Sequence, residues 1–225
     1  MTPADIFARV DDALQDSAGV RWPQSERLRY LNDGRREMAI LRPDIYAQTL
    51  TLTLVSGTRQ AIPPNCTKLF DVQRNSGVDG APGAAIGIIE RDVLDAFRPG
   101  WHEEPPAAVI RNFMFDERTP RVFWVYPPAS AGTRVETSVS IEPSDVGLSD
   151  MLTQEGVLAQ ALVYYVLYRA LMKDAEYAGN AALATQNYQA FMTSLGISAK
   201  RTFSTSPNTA NQGGVPSKVA AAEGG

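Results

Sequence analysis

Gln48-Thr49-Leu50-Thr51-Leu52-Thr53-Leu54 is where the chain changes its period. Leucine and threonine alternate there without a break, which puts an apolar and a polar face on an extended strand. Neither flank behaves this way. Before it and far behind it, apolar residues recur at helical spacing, while the stretch between continues in short alternating runs. A chain of 225 residues ordered helix, strand, helix reads as one core carrying an insertion.

Upstream, Thr2 caps a first helix, with Pro3 at its first position and Asp5 at its third, an acidic form of the capping box. Ile6, Phe7, Val10, Ala13 and Leu14 share one face, and Ser17-Ala18-Gly19 ends the helix. A second helix starts between Pro23 and Ser25 and stops before Pro43. Leu28, Leu31, Met38 and Leu41 form its apolar stripe, and Arg27, Arg35, Arg36 and Glu37 are expected in water. Two short amphipathic helices need a partner to cover such faces.

Downstream, Ser56-Gly57 reads as a hairpin turn into a strand over 59–62 that Pro63-Pro64 closes. Further strands are expected over 68–74, 85–90, 109–115, 121–126 and 134–141. Asp92 caps a short helix ending at Phe97, and Asp116-Glu117-Arg118-Thr119-Pro120 reads as a hairpin turn. Strands at this even spacing predict a small antiparallel sandwich or barrel. Ser149 or Asp150 then caps the longest helix, which runs to about Lys173. Val157, Leu158, Ala161, Leu162, Tyr164, Tyr165, Leu167, Tyr168, Leu171 and Met172 cover most of its circumference, so it lies inside the helical layer. After a turn over 173–180, a return helix carries Ala181, Ala184, Tyr188, Phe191 and Leu195, with Gly196 at its C′ position.

The expected fold is α+β. A four-helix bundle is formed by the N- and C-terminal helices, residues 1–46 and 149–196, around an inserted antiparallel β domain over 47–148, sandwich or barrel-like. Residues 197–225 are a different material, rich in Ser, Thr, Asn, Gly, Ala and Pro. Such a stretch buries too little to offset its ordering entropy, so an extended C-terminal arm is expected, flexible until assembly orders it.

Composition removes several functions. Lys+Arg 21 against Asp+Glu 25 leaves a net charge of -4, and 44% hydrophobic residues mark an ordinary soluble chain. The single cysteine, Cys66, excludes a disulfide framework. His102 is the only histidine, which nearly excludes Ser/His or Cys/His catalysis and metal clusters. The longest apolar run, residues 161–168, is far too short to span a membrane. The opening residues read as a helix start and not as a secretory leader, so synthesis in the cytosol is expected.

Three candidate motifs read as structure. The glycine-rich run 77–87 lacks the Lys-Ser/Thr pair of a phosphate loop and opens into a strand. Adjacent Glu103 and Glu104 point apart on extended backbone, while Asp116 and Glu117 belong to a turn. Seven arginines in the first 50 residues are matched by eight acidic ones, so no basic face follows. No catalytic residue, metal ligand or cofactor is assigned.

An ordered series of fragments remains. Trp22 and residues 26–34 open the second helix, and Leu41-Arg42-Pro43-Asp44 ends it. Ser56-Gly57-Thr58-Arg59-Gln60 with Ile62-Pro63 follows, then Leu69-Phe70-Asp71-Val72 and Arg74-Asn75. Leu94-Asp95, Trp101-His102 and Phe115-Asp116 precede residues 120–128, and residues 173–178, Phe191 and Leu195-Gly196 complete the series. In order and spacing, from about Trp22 to Gly196, it resembles the head-to-tail adaptor (head completion, or tail tubular) proteins of tailed bacteriophages, especially the short-tailed kind.

The resemblance implies a virion structural protein and not an enzyme. Such adaptors form a ring, typically a dodecamer, between the portal and the tail nozzle or tube, and line the DNA exit channel. Portal, nozzle or tube, further copies of the chain and passing DNA without sequence specificity are then its partners, with no membrane and no cofactor. The C-terminal arm would reach the portal, through Lys200, Arg201, Phe203, Pro207, Val215 and Lys218. Two other readings stand beside it. One is a different neck or tail protein whose β domain binds another virion component or a glycan. The other is a glycan hydrolase, which would need two carboxylates about 5 to 9.5 Å apart in a cleft.

Overall fold

A computed structural model describes residues 1–153, 155–177 and 179–196, with the side chain of Val157 left aside. The chain divides into two compact units, one of residues 1–47 and 140–196, the other of residues 48–139.

In the first unit, α1 (Pro3–Leu14) begins as its sequence dictates: Thr2 accepts from the Asp5 N–H, and the Asp5 carboxylate accepts from the Thr2 N–H at 2.8 Å. That exchange holds the Asp5 carboxyl below the usual carboxylate range. The loop after α1 is organised by Asp16, whose carboxylate accepts from the N–H groups of Val20, Arg21 and Trp22. α2 (Gln24–Leu41) follows, then a 3₁₀ turn over Pro43–Tyr46. The later pieces are a 3₁₀ turn over Gly156–Leu158, α4 (Ala159–Lys173) and α5 (Asn180–Ser194), with α3 (Arg91–Phe97) in the other unit.

These helices do not make a four-helix bundle, and that expectation is corrected. α4 is a hub: α1, α2 and α5 each pack chiefly on it, and α1 meets α2 only slightly. Its buried residues, Ala159, Ala161, Leu162, Val163, Tyr165, Val166, Leu167 and Ala170, leave it little outer face. Each helix of a four-helix bundle keeps one side in water around a shared seam. A helix apolar most of the way round is instead covered on most sides, and α4 keeps the stripe of Gln160, Tyr164, Tyr168 and Leu171 exposed or half-buried. Gly34 allows the closest approach of α2, since a Cβ there would stand 2.6 Å from Tyr165 Cδ1. Tyr165 in turn packs edge-on against Phe191 and Tyr168.

The long helix also starts later than its capping residues predict. The Asp150 carboxylate accepts from the Gly147 N–H at 2.7 Å and so closes a turn, while the Leu152 N–H reaches back to the Met1 carbonyl. Residues 147–153 are thereby held as a strap, and the first helical turn described after them is Gly156–Leu158.

The second unit is built on two four-stranded sheets. β1 (Ala47–Thr53), β8 (Arg134–Ile141), β3 (Cys66–Ser76) and β4 (Pro82–Ala85) form one, in that order. The other runs β2 (Gly57–Ala61), β7 (Val122–Ala129), β6 (Asn112–Phe115) and β5 (Gly87–Ile88). The turn over 116–120 joins β6 to β7 as an antiparallel pair, as its residues predict. Two other expectations fail. β5 pairs with β6 in parallel, so the domain is not wholly antiparallel. Ser56-Gly57 does not close a hairpin, because β1 and β2 lie in different sheets. The cause is Gln60, whose buried amide bonds the Val55 N–H, the Val55 carbonyl and the Gly57 carbonyl. That amide supplies the partners that a facing strand would have given. Asn75 does similar work inside the unit, exchanging hydrogen bonds with Ile110 and donating to the Ala84 carbonyl.

Candidate functional site

Lys200, Arg201, Phe203, Pro207, Val215 and Lys218, the six residues expected to bind a partner, lie outside the described residues. Four features within them could carry chemistry: the lone thiol, the lone imidazole, a carboxylate-lined groove and a buried ion pair.

Cys66 opens β3 and is buried, which pushes its thiol above the ordinary range and leaves it unreactive. His102 is exposed, but its ring stacks on Trp101 with centroids 3.7 Å apart, and its Nδ1 shares a 2.8 Å hydrogen bond with Thr58 Oγ1. Both contacts are structural. Trp101 lies at the centre of a small apolar cluster with Leu94, Met114 and Tyr126, and its Nε1 donates to Asp95 Oδ1 at 2.7 Å. On the same side, Tyr126 donates to Glu104 at 3.0 Å, and Arg98 bonds both Tyr126 and Glu104.

The groove has a volume of about 740 Å³ and lies between α3 and the turn joining β6 to β7. Glu90, Asp92, Asp95, Asp116 and Glu117 line it with Arg91, Arg118, Met114, Phe115 and Trp124. α3 starts two residues earlier than expected, after Glu90, so Asp92 sits within its first turn and does not cap it. Acid catalysis needs one carboxyl removed from water and pushed upward. Here four of the five carboxylates are exposed and Asp116 is half-buried. Asp95 is taken up by Trp101 and by Arg91 at 3.5 Å, and Asp116 accepts from the Arg118 N–H at 2.9 Å. A sugar would stack on the Trp124 face, but the Arg91 guanidinium lies over that ring, 5.0 Å from its centroid. The groove is thus lined mostly by exposed charge.

The buried ion pair belongs to the helical unit. Arg35 donates from Nε to Glu155 Oε1 at 2.7 Å and from a terminal nitrogen to the Ser144 carbonyl at 2.6 Å. The Tyr46 hydroxyl donates to the same Glu155 oxygen at 2.7 Å. Burial, then Glu155, pushes the Tyr46 hydroxyl far above its ordinary range. Beside this triad, Asn32 exchanges two hydrogen bonds with the Val146 backbone. Arg35 and Arg27 were both expected in water and are buried, Arg27 against Asp11. This corrects the sequence reading. Arg35 lies four residues beyond Leu31, and Arg27 four before it, so both fall on the apolar stripe. The spacing carried the signal, and the charge masked it.

Among the described residues, no cluster of His, Cys, Asp or Glu is arranged to hold a metal ion. No described helix is long and apolar enough to cross a membrane. The family described as SU10 adaptor protein matches the chain over residues 1–212. No curated protein matches it.

Proposed function

We propose that this chain, which belongs to the SU10 adaptor protein family and is thereby a phage adaptor with a structural role in the virion, is the head-to-tail adaptor of a short-tailed phage. In this reading it forms a ring, a dodecamer, between the portal and the tail nozzle or tube. The ring lines the path by which DNA leaves the head, and no reaction takes place on it. The observation that carries the reading is the extent of the family match, residues 1–212, which takes in both units and part of the tail.

Physical chemistry supports the finer points. A net charge of -4 suits a channel that must pass phosphates without gripping them. Repeating one weak contact around a closed ring multiplies it without demanding tight pairwise affinity. Residues 197–225 serve as an arm onto the portal, with Lys200, Arg201, Phe203, Pro207, Val215 and Lys218 in contact. An arm that pays its ordering entropy only on docking makes assembly conditional on the right partner.

The test is capture of the full chain on immobilised portal, beside a variant ending at Gly196. Retention of the full chain and loss of at least about tenfold in affinity on truncation is expected, a deficit of about 1.4 kcal/mol or more. Equal retention of both would remove the arm from the contact, and retention of neither would remove the portal.

A further inference from the structure

Among the described residues, four strand edges bound the two sheets of the β unit, and three carry the guards that keep edges from pairing with other chains. β2 is five residues long with exposed Arg59 in its middle, and β5 has only two residues. β4 is four residues long and opens on Pro82. β1 differs. It has seven residues, Ala47-Gln48-Thr49-Leu50-Thr51-Leu52-Thr53, with no charge, proline or glycine, and it stands at the end of its sheet.

The backbone parity of β1 shows which groups its outer edge offers. The Leu54 N–H goes to the Thr133 carbonyl, and the Leu54 carbonyl accepts from Gly132. The Leu50 carbonyl accepts from the Thr137 hydroxyl on β8 at 3.0 Å. Even-numbered residues therefore turn their backbone groups toward β8. Alternation directs those of Thr49, Thr51 and Thr53 to the free edge, and all three side chains are exposed.

We propose that this edge pairs with the same edge of a second copy, antiparallel and centred on Thr51, to make a two-fold dimer. The occupant follows from the sequence. Residues 49–53 read the same in both directions about Thr51. Antiparallel pairing centred there places Thr49 against Thr53, Leu50 against Leu52 and Thr51 against itself. Threonine meets threonine on one face, leucine meets leucine on the other, and no like charges oppose each other. Such cross-strand pairs are favourable ones. The three outward residues of each strand supply about six ladder hydrogen bonds. A partner sharing neither this palindrome nor its lack of charge would match the edge less well. The contact goes beyond the adaptor reading and is independent of it, because a two-fold contact and a head-to-tail ring contact are different symmetry operations.

The experiment uses the full chain in sedimentation velocity, loaded up to roughly 100 µM because an edge contact is small and sits at the weak end of interfaces. The expected result is a dimer that Thr51→Pro and Thr51→Lys each convert to monomer without changing the circular dichroism spectrum. Proline at 51 removes an N–H that faces the free edge and spares the β8 ladder. Lysine, the second variant should proline disturb folding, sets two like charges face to face. Register is read by mild oxidation of cysteine variants, with Cys66 buried. Thr51→Cys should link, since directly opposed Cα atoms lie about 5.5 Å apart, within disulfide reach. Thr49→Cys should not, because its two copies stand about 14 Å apart along the strands. A chain that is monomeric at every loading, an oligomer unmoved by Thr51→Lys, or linkage at 49 as ready as at 51 overturns the proposal.

Discussion

Glu155→Leu is expected to lower the stability of the helical unit by about 3 to 5 kcal/mol, the cost of leaving one partner of a buried ion pair behind. Arg35 would keep its charge without its carboxylate partner, and the Tyr46 hydroxyl would lose its acceptor. The size of the effect comes from the desolvation of Arg35 and not from the strength of the pair. Replacing both charges, as Arg35→Met with Glu155→Leu, should therefore cost at least about 2 kcal/mol less than the single change. Urea unfolding followed at 222 nm, run as a double-mutant cycle, reads both numbers. If the double variant loses the sum of what Arg35→Met and Glu155→Leu lose singly, the two residues are not coupled and this explanation of the triad fails. The pair also has an organising role. It ties α2, the 3₁₀ turn at Pro43–Tyr46 and the strap before α4 to one oxygen atom, joining the two stretches of chain that build the helical unit.

Gly34→Ala should destabilise, against the sign that helix propensity alone predicts. Alanine in a helix interior is favoured over glycine by about 1 kcal/mol. At position 34, however, the new methyl would stand 2.6 and 2.9 Å from Tyr165 Cδ1 and Cγ. These are ring atoms near the root of a side chain packed against Phe191 and Tyr168, so they cannot swing away as a flexible end would. Overpacking of this kind costs about 1 to 3 kcal/mol. A net loss is expected, with a melting temperature lower by about 2 to 4 °C per kcal/mol for a chain of this size. A higher melting temperature for Gly34→Ala would show that α2 and α4 are not in close contact at Gly34.

How much the sequence discloses depends on whether the deciding interaction is local. The capping box of α1 involves residues three apart, and it forms as read. β8 spans residues 134–141, the bounds its alternation predicts, and the turn at 116–120 joins neighbouring strands. Where the deciding partner is distant, the reading fails. Nothing near Ser56-Gly57 shows that the Gln60 amide takes the hydrogen bonds of a hairpin. Nothing near Asp150 shows that it bonds Gly147 and that Leu152 is held by Met1, so the capping signal there predicted a helix too early. The bundle expectation failed differently. The all-round apolarity of α4 was legible, but counting four helices suggested a shared seam in place of a hub. Arg27 and Arg35 were misplaced because charge outweighed their position on the stripe of Leu31.

The candidate site divides in the same way. Its charged groove joins α3 to a turn more than twenty residues later, a closeness that no local pattern encodes. The expected arm is readable as composition, but its contacts are properties of an assembly and not of one chain.

On the proposed reading, this polypeptide acts as one of many copies seated on a portal. Negative-stain microscopy of the full chain mixed with purified portal tests it most directly. The expected image is an added ring of density on the tail-facing side of the portal, with one copy per portal subunit and absent when the chain ends at Gly196. Portal particles that look the same with and without this protein, or density bound elsewhere as single copies, would contradict it.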